Sequence, residues 1–200
     1  MRAASRTVAD GQNRRAEVVA ATRRVIARDG LDKASMRAIA QELGCTTGVL
    51  THYFRDKEAM LDVVLAEIVA GVDDRRRRLL SGDYGLADVI DYLCDTLPNS
   101  DDQIEWWKAW LAFTSASFGA GRRGTTHTRF YDQLRRNWES SFRELAARGE
   151  IRADIDPALE GDSLLALLDG MGVQILISPD KLPRDRQRAI LTRHFSAIVP

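Results

Sequence analysis

Cysteine and histidine are scarce in this chain, with two cysteines and three histidines among 200 residues. Cys45 and Cys94 have neither the spacing of a metal site nor the pairing of a disulfide framework. The histidines are dispersed, and the chain contains no HExxH pattern, no phosphate-binding loop and no nucleophile elbow. We therefore expect two reduced thiols, no metal site, no cofactor and no enzyme activity.

Long apolar runs are also missing. No run approaches the ~18 apolar residues that a membrane-spanning helix needs. The first residues, MRAASRTVADGQNRR, contain no apolar h-region, so we expect no secretory signal and a cytoplasmic location. An apolar fraction of 44% is enough to build a core, and 29% charged residues keep the surface soluble.

The chain has no net charge, but its charge is unevenly distributed. Residues 1–60 carry eleven basic and seven acidic side chains, a net +4, which leaves −4 for the remainder because the whole chain is neutral. Such asymmetry fits an N-terminal part that meets phosphates and a remainder that does not.

Alternating strand patterns of useful length are absent, whereas helical periods cover nearly the whole chain. Capping residues, glycines and prolines predict an all-α fold of about nine helices, with a glycine-rich loop at 119–124. The predicted helices are 14–28, 35–43, 46–53, 56–80, 85–96, 100–118, 126–148, 157–177 and 183–198. The first 60 residues form a head of three helices, and residues 61–200 form an α-helical body.

Residues 35–61, SMRAIAQELGCTTGVLTHYFRDKEAML, are typical of a helix-turn-helix. Ser35 and Thr46 are expected N-caps of the two short helices, and Gly44 allows the turn a positive φ. Short hydroxyl side chains and a glycine on the outer side of the second helix allow it to sit deep in a groove. The alternative, an ordinary helical hairpin with a polar surface, explains this side less well.

The predicted DNA contacts are of two kinds. Threonine and histidine side chains can read base edges. A lysine in the first turn of a helix, where the dipole already favours an anion, is explained by a phosphate partner. Tyr53 can contact the sugar-phosphate backbone or fill the core of the head, and the sequence leaves both open. The predicted DNA-binding residues are Ser35, Arg37, Thr46, Thr47, Gly48, Thr51, His52, Tyr53 and Lys57.

The last two helices are apolar on two sides, which favours burying one side in the body and one against a partner. Dimers with two-fold symmetry are the commonest oligomers, so we predict a homodimer. The alternative is a single thick core in a monomer. The predicted interface residues are Leu164, Leu168, Met171, Ile175, Ile190 and Phe195.

The helix at 104–118 is apolar over a wide arc and carries three tryptophans, which indicates a central position in its domain. Core packing explains most of this pattern. The alternative is an aromatic wall that stacks on a flat or cationic ligand. Glu105 and Asp169 flank the apolar stripes, and we interpret them as surface or capping residues, with selection of a cation as the alternative.

Several of these residues resemble the N-terminal DNA-binding domain of the TetR family. The resemblance rests on Ser35, Ala40, Gly44, Gly48, the His52-Tyr53-Phe54 run and Lys57, within residues 14–61. The form TTGVLTHYFRDK is more similar to the BetI-like branch, which is associated with choline metabolism. Many members have tyrosine where this chain has Thr51, which weakens a phosphate contact from that position.

The resemblance implies a ligand-responsive transcriptional regulator, a repressor that a small-molecule inducer releases from a palindromic double-stranded DNA operator. Residues 61–200 are then the ligand-binding and dimerisation domain, and a quaternary ammonium compound is one candidate inducer. The predicted pocket residues are Trp106, Trp107, Trp110, Phe113, Tyr131, Leu134, Trp138 and Met171. The alternative is a small-molecule binding protein with weak or no specific DNA binding. An all-α enzyme is disfavoured because an acid, base or metal set is missing.

Overall fold

A computed structural model describes the backbone of residues 2–118 and 122–200 and the side chains of residues 14–118 and 126–200. Within these ranges the chain forms nine α-helices, one short 3-10 helix (Pro179–Lys181) and no strand, which confirms the all-α prediction. None of these helices has the length and apolar character to cross a membrane. The helices are α1 (Arg2–Asp29), α2 (Met36–Glu42), α3 (Thr47–Tyr53), α4 (Lys57–Leu80), α5 (Leu86–Thr96), α6 (Asp101–Ser117), α7 (Arg122–Ala147), α8 (Pro157–Ile177) and α9 (Arg184–Ser196).

Two predicted boundaries are wrong. Helix α1 begins at Arg2 rather than near residue 14, and α7 begins at Arg122, inside the predicted glycine-rich loop. Residues 119–121 of that loop lie outside the described residues. Gly11 and Gly124 both lie within helices. A glycine in a helix is only about 1 kcal/mol less favourable than alanine, so its neighbours can carry the helix through it.

The chain divides into two compact units. The first unit consists of the described residues up to Ile68 together with those of Lys108–Thr126. The second unit consists of Val69–Trp107 and His127–Pro200. Helices α4, α6 and α7 therefore each begin in one unit and end in the other.

The core of the first unit is built by α1, α2, α3 and the first half of α4. Val18 and Val25 of α1, Ile39 of α2, Leu50 of α3 and Met60 of α4 have no exposed surface. Fully burying an aliphatic side chain of this size stabilises a fold by about 1.5–3 kcal/mol. This shared core is what holds the two short helices, α2 and α3, in place, since isolated helices of seven residues are not stable in water.

The second unit is closed by α5, α7, α8 and α9. Phe142 of α7 and Phe195 of α9 stack with ring centroids 5.9 Å apart, and both are buried. Asn99, after α5, exchanges side-chain hydrogen bonds of 2.9 and 2.8 Å with the buried Gln187 of α9. The amide pair satisfies polar groups that would otherwise oppose burial, and it fixes the position of α9 along α5.

Candidate functional site

The turn between α2 and α3 is the one that a helix-turn-helix requires. Ser35 Oγ accepts a hydrogen bond of 3.1 Å from the Ala38 amide, so Ser35 caps α2 as predicted. Gly44 follows α2 with φ +64°, a conformation that residues with a Cβ rarely adopt. The chain can then reverse within a few residues and start α3 at Thr47.

Helix α3 has one buried side and one exposed side. Leu50 is fully buried, and Phe54, directly after the helix, is 5% exposed. These two side chains anchor α3 to the core of the first unit. The five residues predicted to read bases lie on the other side of α3, and all are exposed: Thr46, Thr47, Gly48, Thr51 and His52. We call them the α3 face.

The hydroxyl groups of the α3 face differ in their local bonding. Thr46 is the N-cap residue of α3 as predicted, but its side chain makes no capping hydrogen bond. Thr51 Oγ1 donates a hydrogen bond of 3.1 Å to the Gly48 carbonyl. Tyr53 is 43% exposed, and its ring meets that of His52 edge-on at 5.2 Å. Of the two roles left open for Tyr53, filling the core therefore does not match the structure.

Lys57 has a structural role that sequence reasoning missed. Its Nζ donates to the carbonyl oxygens of Leu31 and Asp32 at 3.2 and 3.3 Å. These bonds tie the first turn of α4 to the turn between α1 and α2, and they explain a lysine at this position without DNA. An ammonium group has three donors, so one N–H remains for a phosphate.

Several charged side chains of the head form ion pairs with one another. Glu42 of α2 accepts hydrogen bonds from Arg24 at 2.8 Å and Arg28 at 2.9 Å, both on α1. The two guanidinium groups stabilise the carboxylate and lower the pKa of Glu42. Arg55 pairs with the neighbouring Asp56. Arg37, on α2, has an exposed side chain.

The predicted dimer residues lie mainly in the core of the second unit. Leu164, Leu168, Met171, Ile175 and Phe195 are at most 7% exposed within the single chain, and Ile190 is partly exposed. Side chains with so little exposed surface in the single chain have almost no area to bury against a partner, so the burial does not support this side of α8 as an interface. The opposite side of α8 is exposed and includes Leu159, Ala166, Gly170 and Ile177.

Six of the eight predicted pocket residues belong to the second unit, and Trp110 and Phe113 are buried in the first. The Trp107 ring lies directly on Gly172 of α8, where a Cβ atom would be 2.2 Å from a ring carbon. Its indole N–H donates to the Thr96 carbonyl at 2.7 Å. Trp106 meets Trp107 edge-on at 5.6 Å.

Tyr131 and Asp169 join α7 to α8 in the same unit. The Tyr131 hydroxyl donates to Asp169 Oδ2 at 2.8 Å, and His127 meets the Tyr131 ring edge-on at 5.2 Å. Asp169 lies one helical turn before Gly172 on α8. Its carboxylate is therefore one turn away from the place where the Trp107 ring, which belongs to α6, packs on α8. Our surface interpretation of Asp169 was wrong, because the residue is half-buried and bonded to Tyr131.

Trp138, also a predicted pocket residue, is 5% exposed and lines a cavity of about 10 Å³. This cavity has room for about one water molecule and not for an organic ligand. Trp138 also packs beside Gly161 of α8, so it contributes to the core of the second unit. Leu134 is half-buried, and Met171 is 2% exposed.

Comparison with known proteins agrees with this geometry. Residues 18–64 match the family model for bacterial regulatory proteins of the tetR family, and residues 87–200 match the C-terminal region of BetI-type transcriptional repressors. The chain is 26% identical over 190 residues to the HTH-type transcriptional regulator PksA of Bacillus subtilis, with 94% of this chain and 91% of that protein covered. It is 28% identical over 188 residues to the regulator BetI of Escherichia coli, with 91% of each covered.

Solved structures show the same fold. A putative transcriptional regulator from Saccharomonospora viridis, in complex with choline, has a TM-score of 0.80 at 24% identity and covers 94% of this chain and 99% of its own. A putative TetR-family regulator from Rhodococcus sp. has a TM-score of 0.78 at 18% identity, with 93% and 98% covered. The second family model alone spans more than half of the chain. The chain therefore belongs to the TetR family and is a DNA-binding transcriptional regulator with a BetI-type C-terminal region, not an enzyme.

Proposed function

We propose that this regulator is a cytoplasmic repressor that binds a palindromic operator as a homodimer and is released by a small-molecule inducer. Residues 1–60 form the DNA-binding domain, and residues 61–200 form the ligand-binding and dimerisation domain. One observation carries the proposal. Every residue of the α3 face is exposed, on a helix that Leu50 and Phe54 anchor to the core from the opposite side, in a chain whose head and body both match one family of regulators.

The DNA-binding part is tested by the salt dependence of binding to a duplex obtained by selection from a random pool. Each phosphate contact contributes about 0.9 to the slope of log affinity against log salt concentration. We expect Arg37→Ala to reduce this slope by about 1 per head, and His52→Ala to change the preferred sequence. Lys57→Ala is expected to weaken binding to all sequences alike, with the stability of the head measured in parallel because its two carbonyl contacts are lost.

Lys181→Ala provides the matched control, since it removes an exposed lysine from the 3-10 helix of the body. It should leave both slope and preference unchanged. If the parent chain selects no sequence and its weak DNA affinity does not fall with salt, the repressor proposal is wrong. The chain would then be a small-molecule binding protein, which is the alternative function.

The dimer part rests on the exposed side of α8. Leu159 and Ile177 are 61% and 75% exposed, which is unusual for large apolar side chains. Ala166 and Gly170 lie between them, and the spacings of seven, four and seven residues place all four on one stripe of the helix. Small residues at the centre of the stripe allow a second α8 to approach closely.

Gly170→Arg tests the dimer without disturbing the chain itself, because a Cβ at Gly170 would have no neighbour within 4 Å. We expect light scattering to show a dimer for the parent and a monomer for this variant. Gly71→Arg on α4 is the control, since this helical glycine is equally open. A dimer that survives Gly170→Arg would contradict the α8 stripe as the interface.

The inducer is proposed to be a cation of the quaternary ammonium class. Two observations support this: the adjacent placement of the Trp107 ring and the Asp169 carboxylate, and the choline complex of the structurally similar regulator from Saccharomonospora viridis. An aromatic face attracts a cation, and a carboxylate selects its charge.

Calorimetry with choline and its uncharged isostere 3,3-dimethylbutan-1-ol separates charge from shape. We expect choline to bind at least tenfold more tightly, and Asp169→Asn, which can still accept the Tyr131 hydrogen bond, to remove most of that difference. Equal affinity for the two compounds would show that the ligand is not selected by charge. Choline should also lower the affinity for the selected duplex, because an inducer favours the state that binds DNA less well.

A further inference from the structure

The α3 face lacks the side chains that usually read bases. Residues 46–53 contain no arginine, lysine, asparagine, glutamine, aspartate or glutamate. Those residue types make the paired hydrogen bonds that distinguish guanine, adenine and cytosine in the major groove. Three of the five residues of the α3 face are threonines. Threonine offers one hydroxyl and one methyl, so the question is which of the two groups each threonine presents.

Thr51 is the threonine whose hydroxyl is already used. Its Oγ1 donates to the Gly48 carbonyl at 3.1 Å, and a hydroxyl has one proton to donate. The oxygen is thereby turned towards the backbone of its own helix. The side chain as a whole is exposed, and with its hydroxyl proton committed the methyl is the group left to contact a base.

Gly48 leaves this methyl accessible. Residues three apart are neighbours on a helix surface, and Gly48 lies one turn before Thr51. Gly48 is exposed, and a Cβ there would have only Thr46 Oγ1, at 3.7 Å, among its neighbours within 4 Å. The space beside the Thr51 methyl is therefore empty in the described head, and a base edge can enter it.

We infer that Thr51 reads the C5-methyl group of a thymine, so that each half of the operator contains a thymine beneath this residue. The thymine methyl is the one apolar feature that a base pair displays in the major groove. Contact between two methyl groups removes both from water, whereas a hydroxyl with its proton committed cannot donate to a base acceptor. The inference rests on the proposed binding of operator DNA by the α3 face.

The test replaces thymine by uracil, which differs only in lacking the C5-methyl. A duplex selected from a random pool is remade with single uracils at each thymine, and affinities are compared for the parent, Thr51→Ser and Thr51→Val. Serine removes the methyl and keeps the hydroxyl. Valine keeps the methyl and removes the hydroxyl. Thr51 is exposed, so both variants should fold, and thermal unfolding checks this.

We expect one thymine per half-site at which uracil weakens binding of the parent about fourfold, the effect of burying one methyl group. Uracil at this position in both half-sites should weaken binding of the parent about fifteenfold. The discrimination should vanish in Thr51→Ser and persist in Thr51→Val. Where cytosine replaces that thymine, 5-methylcytosine should bind about fourfold more tightly than cytosine, because it carries the same C5-methyl group.

Three results would overturn the inference. The first is specific binding by the parent without any uracil-sensitive position, which leaves the proposed repressor function intact. The second is uracil discrimination that is unchanged in Thr51→Ser, which assigns the methyl to another residue. The third is loss of sequence preference in Thr51→Val, which shows that the hydroxyl reads the base. Absence of all specific binding by the parent would refute the proposed function and the inference with it.

Discussion

Replacing Gly172 by alanine tests how the Trp107 ring is seated. A Cβ at this position would lie 2.2, 2.3 and 2.6 Å from three carbons of the ring, far inside normal contact distance. The ring cannot move away freely, because its indole N–H is bonded to the Thr96 carbonyl at 2.7 Å. Over-packing of this kind destabilises a core by about 1–3 kcal/mol.

Helix propensity acts in the opposite direction. Alanine is about 1 kcal/mol more favourable than glycine within a helix, so part of the strain is offset. We expect a net loss of up to about 2 kcal/mol in the free energy of unfolding. For a chain of this size this lowers Tm by up to about 8 °C. Tryptophan fluorescence should change at the same time, because the indole environment is disturbed.

Gly71→Ala is the matched control for this prediction. Gly71 also lies within a helix, in the same unit, and a Cβ there meets nothing within 4 Å. Only the propensity gain remains, so this variant should be as stable as the parent or slightly more stable. If Gly172→Ala raises Tm by as much as Gly71→Ala does, the ring does not lie on α8 as described, and the reasoning on the ligand site loses its aromatic wall.

Two further predictions concern pH. Glu42→Gln should destabilise the head by about 0.5–1 kcal/mol at pH 7, since it weakens the ion pairs with Arg24 and Arg28. The folded-state pKa of Glu42 is lowered, so this stabilisation is present above pH 4.5 and is lost in stronger acid. Urea unfolding of parent and variant at several pH values should show the difference above pH 4.5 and its loss below. Burial lowers the pKa of His194 below its usual 6.5, and the Glu160 carboxylate, 4.0 Å away, opposes this only in part. The unfolded chain therefore protonates His194 more readily than the folded chain does, and the free energy of unfolding should fall as the pH drops through 6.5. In His194→Asn the loss between pH 7 and pH 5 should be smaller, and an unchanged loss would exclude His194 as its source.

Much of the fold could be predicted because local signals agree with the packing. Asp56 and Asp156 cap α4 and α8 through hydrogen bonds to backbone amides, as such residues do at helix starts. The exposed α3 face could be predicted because short hydroxyl side chains and a glycine share the outer side of the second short helix. Glycine misled the prediction at the start of α7, where Gly124 lies within the helix and not in a loop before it.

The body could be predicted less well, because sequence period does not tell which of two apolar sides a helix turns inward. Leu164 and Leu168 form as regular a stripe as Leu159 and Ile177, and only the packed structure distinguishes them. The bond between Tyr131 and Asp169 joins residues 38 positions apart. Contacts over such separations depend on the whole fold and leave no mark in local spacing.

The bonds from Lys57 to the turn after α1 have a mechanical consequence. Its ammonium holds the first turn of α4 to the backbone at Leu31 and Asp32, and Met60 and Val64 of α4 are fully buried in the same unit. Any reorientation of the first half of α4 must therefore carry α3 with it as a rigid body, and Lys57→Ala should loosen that joint even in the absence of DNA.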